Sequence, residues 1–338
     1  MNDLFKACKN GDFDLVKSLL DKGADPNEDD YTPLDVAIEN KHSKIANLLI
    51  EKGSDVNFNN PLYLATTHNL NDVVKKLIKK GANLNKQKVN GYTSLMQAIN
   101  LGYFDIASIL IQNGADVNIE NKIGNTALMF AVSCKNSTIV NLLLLYGADV
   151  NKQYKDGTTL LIQAINLKYF DIVSILIKNG ADFNKQYKYG TTALIQAINL
   201  KYFDIASILI QNGADVDIQD KFGNTALMFA VSYDEKSIDI VNLLLLYGAD
   251  PYLKNINRED SFDLARPQHK SILLHALDPP STKQPYGGPS YLYLVNKTIY
   301  ISSPKAKKSA ILNQQRKLNP FITNNMLFKK SKSKKSRK

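Results

Sequence analysis

Gly114-Ala115-Asp116-Val117, with Asn118 directly behind it, decides the fold, because the same tetrad returns along the chain at an almost fixed interval. It recurs as Gly23-Ala24-Asp25-Pro26, Gly147-Ala148-Asp149-Val150, Gly213-Ala214-Asp215-Val216 and Gly248-Ala249-Asp250-Pro251. Variants stand at Gly53-Ser54-Asp55-Val56, Gly81-Ala82-Asn83-Leu84 and Gly180-Ala181-Asp182-Phe183. From Gly81 to Gly213 the glycines are spaced by 33 residues four times running, and the outlying intervals are 30, 28 and 35. A period of this length marks a solenoid, in which each unit is one supersecondary element that buries its apolar face only against its neighbours. Solenoids as a class bind rather than catalyse.

Residues 90–118 show what one unit contains. Thr93-Ser94 can cap a first helix, on which Leu95, Ala98 and Ile99 share a face. Gly102 allows a reversal, and Ile106, Ile109, Leu110 and Ile111 give a second helix a broad apolar stripe. Gly114 falls where a left-handed residue would close that helix, since glycine takes positive φ without a Cβ clash. The unit reads as helix, turn, helix and extended finger.

These residues carry a resemblance. Tyr31-Thr32-Pro33-Leu34-Asp35-Val36-Ala37, together with the helix-closing Gly-Ala-Asp-Val-Asn, resembles the ankyrin repeat, whose hallmark is Thr-Pro-Leu-His-x-Ala. The resemblance covers eight units over residues 1–252, and a degenerate ninth comes after them, in which residues 261–265 echo a first helix and residues 272–277 a second. Proline is kept only at Pro33 and Pro61; Ser94, Ala127, Leu160, Ala193 and Ala226 replace it. Lys41, Lys135, Lys168 and Lys201 stand where the inter-helix glycine belongs, at a cost of about 1 kcal/mol each if they hold a left-handed backbone. The resemblance implies an all-α repeat solenoid, an elongated right-handed ankyrin stack with β-turn fingers. Its expected organisation is an N-terminal capping unit over 1–27, repeats over 28–252 and a C-terminal capping repeat over 253–278.

Residues 161–172 recur letter for letter at 194–205, 124–133 at 223–232, and 140–149 at 241–250. Identity between copies therefore records copying, and the informative positions are those that differ. They gather at the fingers. The first two fingers are clipped, with residues 28–32 and 58–60 before Pro33 and Pro61, and full-length fingers begin at Asn85. Their tips carry lysine beside apolar or aromatic residues. In the ankyrin family, partners dock on finger tips and adjacent first-helix ends. Carried over, this surface is Lys88, Lys122, Ile123, Lys155, Lys188, Tyr189, Lys221 and Phe222, with Cys134 and Tyr233 at matching first-helix ends. Tyrosine flanked by lysine suits a protein interface, because amphipathic rings dominate binding hot spots. The same residues also suit a solvated turn, with Val89, Ile123 and Phe222 packing on the next finger.

At 338 residues and 44% hydrophobic, the chain has material for a long buried core. Its net charge of +10 is unevenly placed: 14 of the 42 Lys/Arg and none of the 32 Asp/Glu lie beyond residue 278. A Pro/Gly-rich linker is expected over 279–290, then a β-hairpin and basic helix over 291–320, then a disordered basic tail over 321–338. Lys329, Lys330, Lys332, Lys334, Lys335, Arg337 and Lys338 fit nuclear import, a nucleic-acid or anionic-surface contact, or a solubilising tail.

Catalytic chemistry is not evident. Cys8 and Cys134 are the only cysteines, which offers no disulfide framework and suits a reducing compartment. His42, His68, His269 and His275 lack metal-ligand spacing, and no phosphate loop or nucleophile elbow is present. Asp105, Asp171 and Asp204 repeat with the unit, as residues complementing helix dipoles do. No signal peptide or membrane-length apolar run is evident. The expectation is a monomeric, intracellular, non-enzymatic scaffold in cytoplasm or nucleus, without cofactor or metal. It would bind a protein partner through its fingers and concave face, or would position its basic tail on nucleic acid or an anionic surface.

Overall fold

Every copy of the tetrad closes one helix and opens one turn. The computed structural model, which describes residues 3–28 and 30–277, accordingly alternates short first helices with somewhat longer second ones. The pairs are α1 (Asp3–Asn10) with α2 (Phe13–Asp21), α3 (Pro33–Glu39) with α4 (Ser43–Glu51), and α5 (Pro61–Thr67) with α6 (Asn71–Lys79). Next come α7 (Ser94–Asn100) with α8 (Phe104–Gln112), α9 (Ala127–Ser133) with α10 (Ser137–Leu145), and α11 (Leu160–Asn166) with α12 (Phe170–Lys178). The last are α13 (Ala193–Asn199) with α14 (Phe203–Gln211), α15 (Ala226–Ser232) with α16 (Ile238–Leu246), and α17 (Ser261–Leu264) with α18 (Pro267–Leu277). This is the all-α repeat solenoid that the sequence period implies. The linker expected at 279–290, the hairpin and helix at 291–320, and the basic tail at 321–338 lie outside the described residues.

The described residues divide into two compact units, the first ending at residue 196 and the second beginning at 197, and the division falls inside α13. In the first unit, first helices pack on first helices (α3 on α5, α5 on α7, α7 on α9) and second on second (α4 on α6, α8 on α10, α10 on α12). In the second unit α14 meets α16, α15 meets α17, and α16 meets α18. The repeat at 94–112 shows the core: Leu95, Met96, Ala98 and Ile99 from α7, with Ile106, Ala107, Leu110 and Ile111 from α8, are at most 1% exposed. Ala107 belongs to this buried set, whereas Ile109 is half-buried.

The pentad Gly114–Asn118 explains its own recurrence. Gly114 has φ 90° and ends α8, and the Ala115 N–H then donates to Leu110 O at 3.0 Å, capping an otherwise orphaned carbonyl. Ala115 and Val117 are buried. The Asp116 carboxylate accepts the Asn118 N–H at 2.9 Å, a local turn that only a short acceptor side chain makes. The Asn118 carboxamide reaches the next repeat, donating to Gly147 O at 2.9 Å and accepting the Asp149 N–H at 2.9 Å. The same two-way bridge is made by Asn27 to Gly53 and Asp55, by Asn57 to Gly81 and Asn83, and by Asn151 to Gly180 and Asp182. In the second unit Asp217 takes this place. It accepts the Asp250 N–H at 2.8 Å, but a carboxylate has no N–H for a glycine carbonyl.

Turn chemistry departs from the ideal where the sequence says it should. Lys41, Lys135, Lys168 and Lys201 hold φ between 53° and 61° in the inter-helix turn. The ammonium of Lys135 lies 5.1 Å above the Tyr169 ring and that of Lys201 4.9 Å above Tyr233, contacts that offset part of the backbone strain. Where the interval lengthens to 35 residues, Glu235–Ser237 forms a 3₁₀ turn and Tyr233 keeps φ −85°, so no left-handed residue is needed. Asp105 and Asp171 stand one residue inside α8 and α12 rather than at the cap, which is Tyr103 or Tyr169 with no side-chain bond. Asp171 instead engages the Ser137 hydroxyl and nearby backbone N–H groups, which hold its carboxyl below the usual range.

In the second unit, fully buried His269 has Nε2 3.1 Å from the Ser237 hydroxyl while Nδ1 has no partner. Burial, with Arg266 nearby and partly opposed by the Val231 carbonyl and Asp234, holds the imidazole below its ordinary 6.5. The folded state therefore prefers neutral His269, so stability is full above pH 6.5 and falls as the unfolded chain gains a proton below it.

Denaturant titration should show Asn118→Ala losing about 1–2 kcal/mol and Asp217→Asn gaining about 1 kcal/mol, from the hydrogen bonds removed or added. Melting temperature should drop between pH 7.5 and 5.5, and His269→Gln should flatten that drop; an unchanged slope would place the titration elsewhere.

Candidate protein-binding surface

The full-length fingers are tight turns, each closed by main-chain bonds. In the first, the Lys88 N–H donates to Tyr92 O at 2.9 Å and the Gly91 N–H to Lys88 O at 2.8 Å. Equivalent pairs close the turns beginning at Asn121, Tyr154, Tyr187 and Asp220. In four of the five turns a glutamine four residues before the turn glycine locks the loop from within: Gln87, Gln153, Gln186 and Gln219 donate to the carbonyls of Gly91, Gly157, Gly190 and Gly223 at 2.6–2.8 Å, while Glu120 holds that place in the turn at Asn121. At two junctions the fingers touch backbone to backbone. The Lys122 N–H donates to Asn90 O at 3.2 Å, and a Cβ on Gly91 would meet Lys122 N at 2.6 Å. Gly223 is fixed in the same way by Asn255.

Aligned on this turn, the expected lysines are not equivalent. Lys122, Lys155, Lys188 and Lys221 occupy its second place, whereas Lys88 occupies its first, and the second place there is Val89. Lys88 folds back, donating to Asn59 O at 3.2 Å with its ammonium 5.6 Å over the Tyr63 ring. Val89 is 87% exposed, more than any other large apolar side chain described. It was not among the expected site residues. The 33-residue interval from Val89 to Lys122 is the signal that marks it as a tip position.

Several tip lysines also serve the stack. Lys155 donates to Lys122 O at 3.4 Å, Lys152 pairs with Glu120 at 2.6 Å, and Lys188 pairs with Asp156 at 3.0 Å. The Asp156 carboxyl accepts the Thr158 N–H and faces Lys188, which together bring it down to about 2, and Lys188 is correspondingly raised. The pair is therefore ionised throughout the physiological range. At the third turn place, Ile123 is 55%, Tyr189 66% and Phe222 48% exposed, and Tyr189 holds φ 58°.

The structure thus brings Lys122 together with Lys155, and Lys188 with Asp156, along one row in the first unit. Cys134 and Tyr233 cap α9 and α15 as matched positions. The Cys134 thiol donates to Ile99 O at 3.6 Å and is raised by burial, though part of the residue faces solvent. Tyr233 lies under Lys201, in the second unit with Lys221 and Phe222. The tail residues Lys329, Lys330, Lys332, Lys334, Lys335, Arg337 and Lys338 lie outside the described residues.

At the clipped fingers a depression of about 680 Å³ is lined by Asn27, Asp30, Thr32, Asp55 and Phe58. Nearby, buried Asp35 caps α3 through Thr32 and accepts from Asn59 at 2.9 Å. Among the described residues no group of three His, Cys, Asp or Glu could hold a metal ion, and no helix is long and apolar enough to cross a membrane.

A family model described as ankyrin repeats (3 copies) matches residues 2–60, 62–154, 128–220 and 160–255. Ankyrin repeat and SAM domain-containing protein 6 of Mus musculus is 35% identical over 104 residues, 27% of this chain and 12% of that protein. An ankyrin repeat protein of fowlpox virus is 35% identical over 109 residues, 31% of this chain and 26% of that protein. The chain thus spans a small part of the curated relatives it matches. The crystal structure of the ankyrin repeat domain of Bcl-3 aligns with a TM-score of 0.56 and 26% identity, covering 65% of this chain and 99% of that domain. With family matches running from residue 2 to residue 255, and with the helix pairs, capping glycines and turn fingers described above, the chain belongs to the ankyrin repeat family.

Proposed function

We propose that the protein is a non-enzymatic adaptor that captures a partner protein on its finger tips, with the first-helix ends Cys134 and Tyr233 at the margin. Ankyrin repeat domains generally mediate protein–protein interaction. The observation that carries the finer reading is the exposure of Val89, Ile123 and Tyr189 on rigid turns in the first unit, at 87%, 55% and 66%. Main-chain bonds within each turn hold these side chains in place, and the fingers of Val89 and Ile123 also touch backbone to backbone, so little ordering is required on docking. Lys122 and Lys155 beside them suit an acidic rim on the partner, and charge there sets encounter rate and selectivity more than affinity. Lys221 and Phe222 offer the same pairing in the second unit.

A second reading rests on the 14 cations and no acids beyond residue 278. It makes the basic tail the effector, binding nucleic acid or an anionic surface, with the repeats as its positioner. We place both readings inside a reducing compartment, in keeping with two free thiols.

Affinity capture from a eukaryotic lysate at low and high salt, with full chain and a 1–278 truncation in parallel, separates the two. A discrete protein retained by both forms at high salt supports the fingers as the site. Val89→Asp with Ile123→Asp should then weaken that capture about tenfold or more, with the melting temperature unchanged because both side chains are exposed. Capture indifferent to the double substitution would remove the fingers from the interface. Nucleic acid retained only by the full chain and released by salt would favour the tail instead.

A further inference from the structure

The last described repeat ends in an apolar face that every earlier repeat covers. Leu95, Leu128 and Leu161, each the second residue of a first helix, are at most 1% exposed. Ala107, Val140 and Val173, thirteen residues after those helices begin, are 0% exposed. In the second unit Leu227 and Val241 hold these places and are likewise 0% exposed, packed under α17 and α18. At the same two places the final repeat carries Phe262 and Leu274, and Leu274 is 57% exposed. A terminal repeat needs a polar outer face to remain soluble, and phenylalanine and leucine do not supply one.

The clamp that joins one repeat to the next is missing at this end. The bridging asparagine is replaced here by Tyr252, which has no carboxamide to clamp a following Gly-Ala-Asp turn. Its ring instead stacks on Phe262 with centroids 5.6 Å apart, and it is 57% exposed, which enlarges the apolar plate. The chain beyond α18 supplies a different cover. Residues 278–290 are a 13-residue Pro/Gly-rich stretch, and residues 291–301 then hold Tyr291, Leu292, Leu294, Val295, Ile299 and Ile301. A tether of that length and composition reaches about 20 Å root-mean-square, against roughly 10 Å between packed helices. Tethered so closely, the segment meets the face at an effective concentration on the order of millimolar.

We propose that residues 291–301 dock in cis on the end face formed by Tyr252, Phe262 and Leu274. Hydrogen exchange on the full chain tests this. Amides of 291–301 should exchange at least about tenfold slower than free peptide, at concentrations where light scattering shows a monomer. Leu274→Asp and, separately, Leu294→Asp should each return them to the free rate, while amides of 160–177 keep their protection and report that the repeats remain folded. Free-peptide exchange of 291–301 in the unaltered chain would overturn the proposal. So would protection that survives both substitutions, or protection seen only where the chain is dimeric, which would assign the face to a second copy.

Discussion

A hydrogen-bonded carboxamide that ties one repeat to the next constrains everything else. Asn27, Asn57, Asn118 and Asn151 each accept an N–H from, and donate to a carbonyl of, the turn in the following repeat. Apolar burial supplies most of the driving force, but burial is non-directional and tolerates sliding. The bridge does not. It fixes the height of each turn against its neighbour to within a hydrogen bond, and so fixes which side chains of successive helices oppose one another. The period of the sequence is the period of this bridge, because the glycine, aspartate and asparagine it needs must recur together.

The fingers inherit that order. Their backbones are close enough that Gly91 cannot accept a Cβ, and the lysines at their tips reach back to the preceding finger. Lysines that read as an interface in sequence therefore also serve the stack. The apolar tips have no such second role. Val89 and Ile123 gain nothing from the stack at their exposed faces, which is why the proposed docking surface rests on them rather than on the lysines.

Most of the fold was legible from residue spacing. The tetrad located the ends of the second helices from α2 to α16, and Lys41, Lys135, Lys168 and Lys201 take the left-handed backbone that their place, normally a glycine's, implies. Two things were not legible. Lys88 looked equivalent to Lys122 because both sit at a tip, yet a one-place shift in the turn separates them, and only backbone geometry reveals the turn's first residue. The approach of Glu120 to Lys152, like that of Asp156 to Lys188, joins residues 32 apart, and no local pattern predicts it. The candidate surface was legible as a region and not as a ranking of its residues.

The two-way bridge also bears on how such a chain changes over generations. Because its donor, acceptor and both partner groups all belong to the recurring motif, inserting a whole copied repeat recreates a satisfied junction on each side of the insert. Lengthening by 33 residues therefore disturbs less than lengthening by two, which here had to be absorbed as a separate 3₁₀ turn at Glu235–Ser237. Junctions of this kind are interchangeable parts. Recombination can alter the number of docking positions in single whole-repeat steps, and point mutation is then free to diversify each new tip.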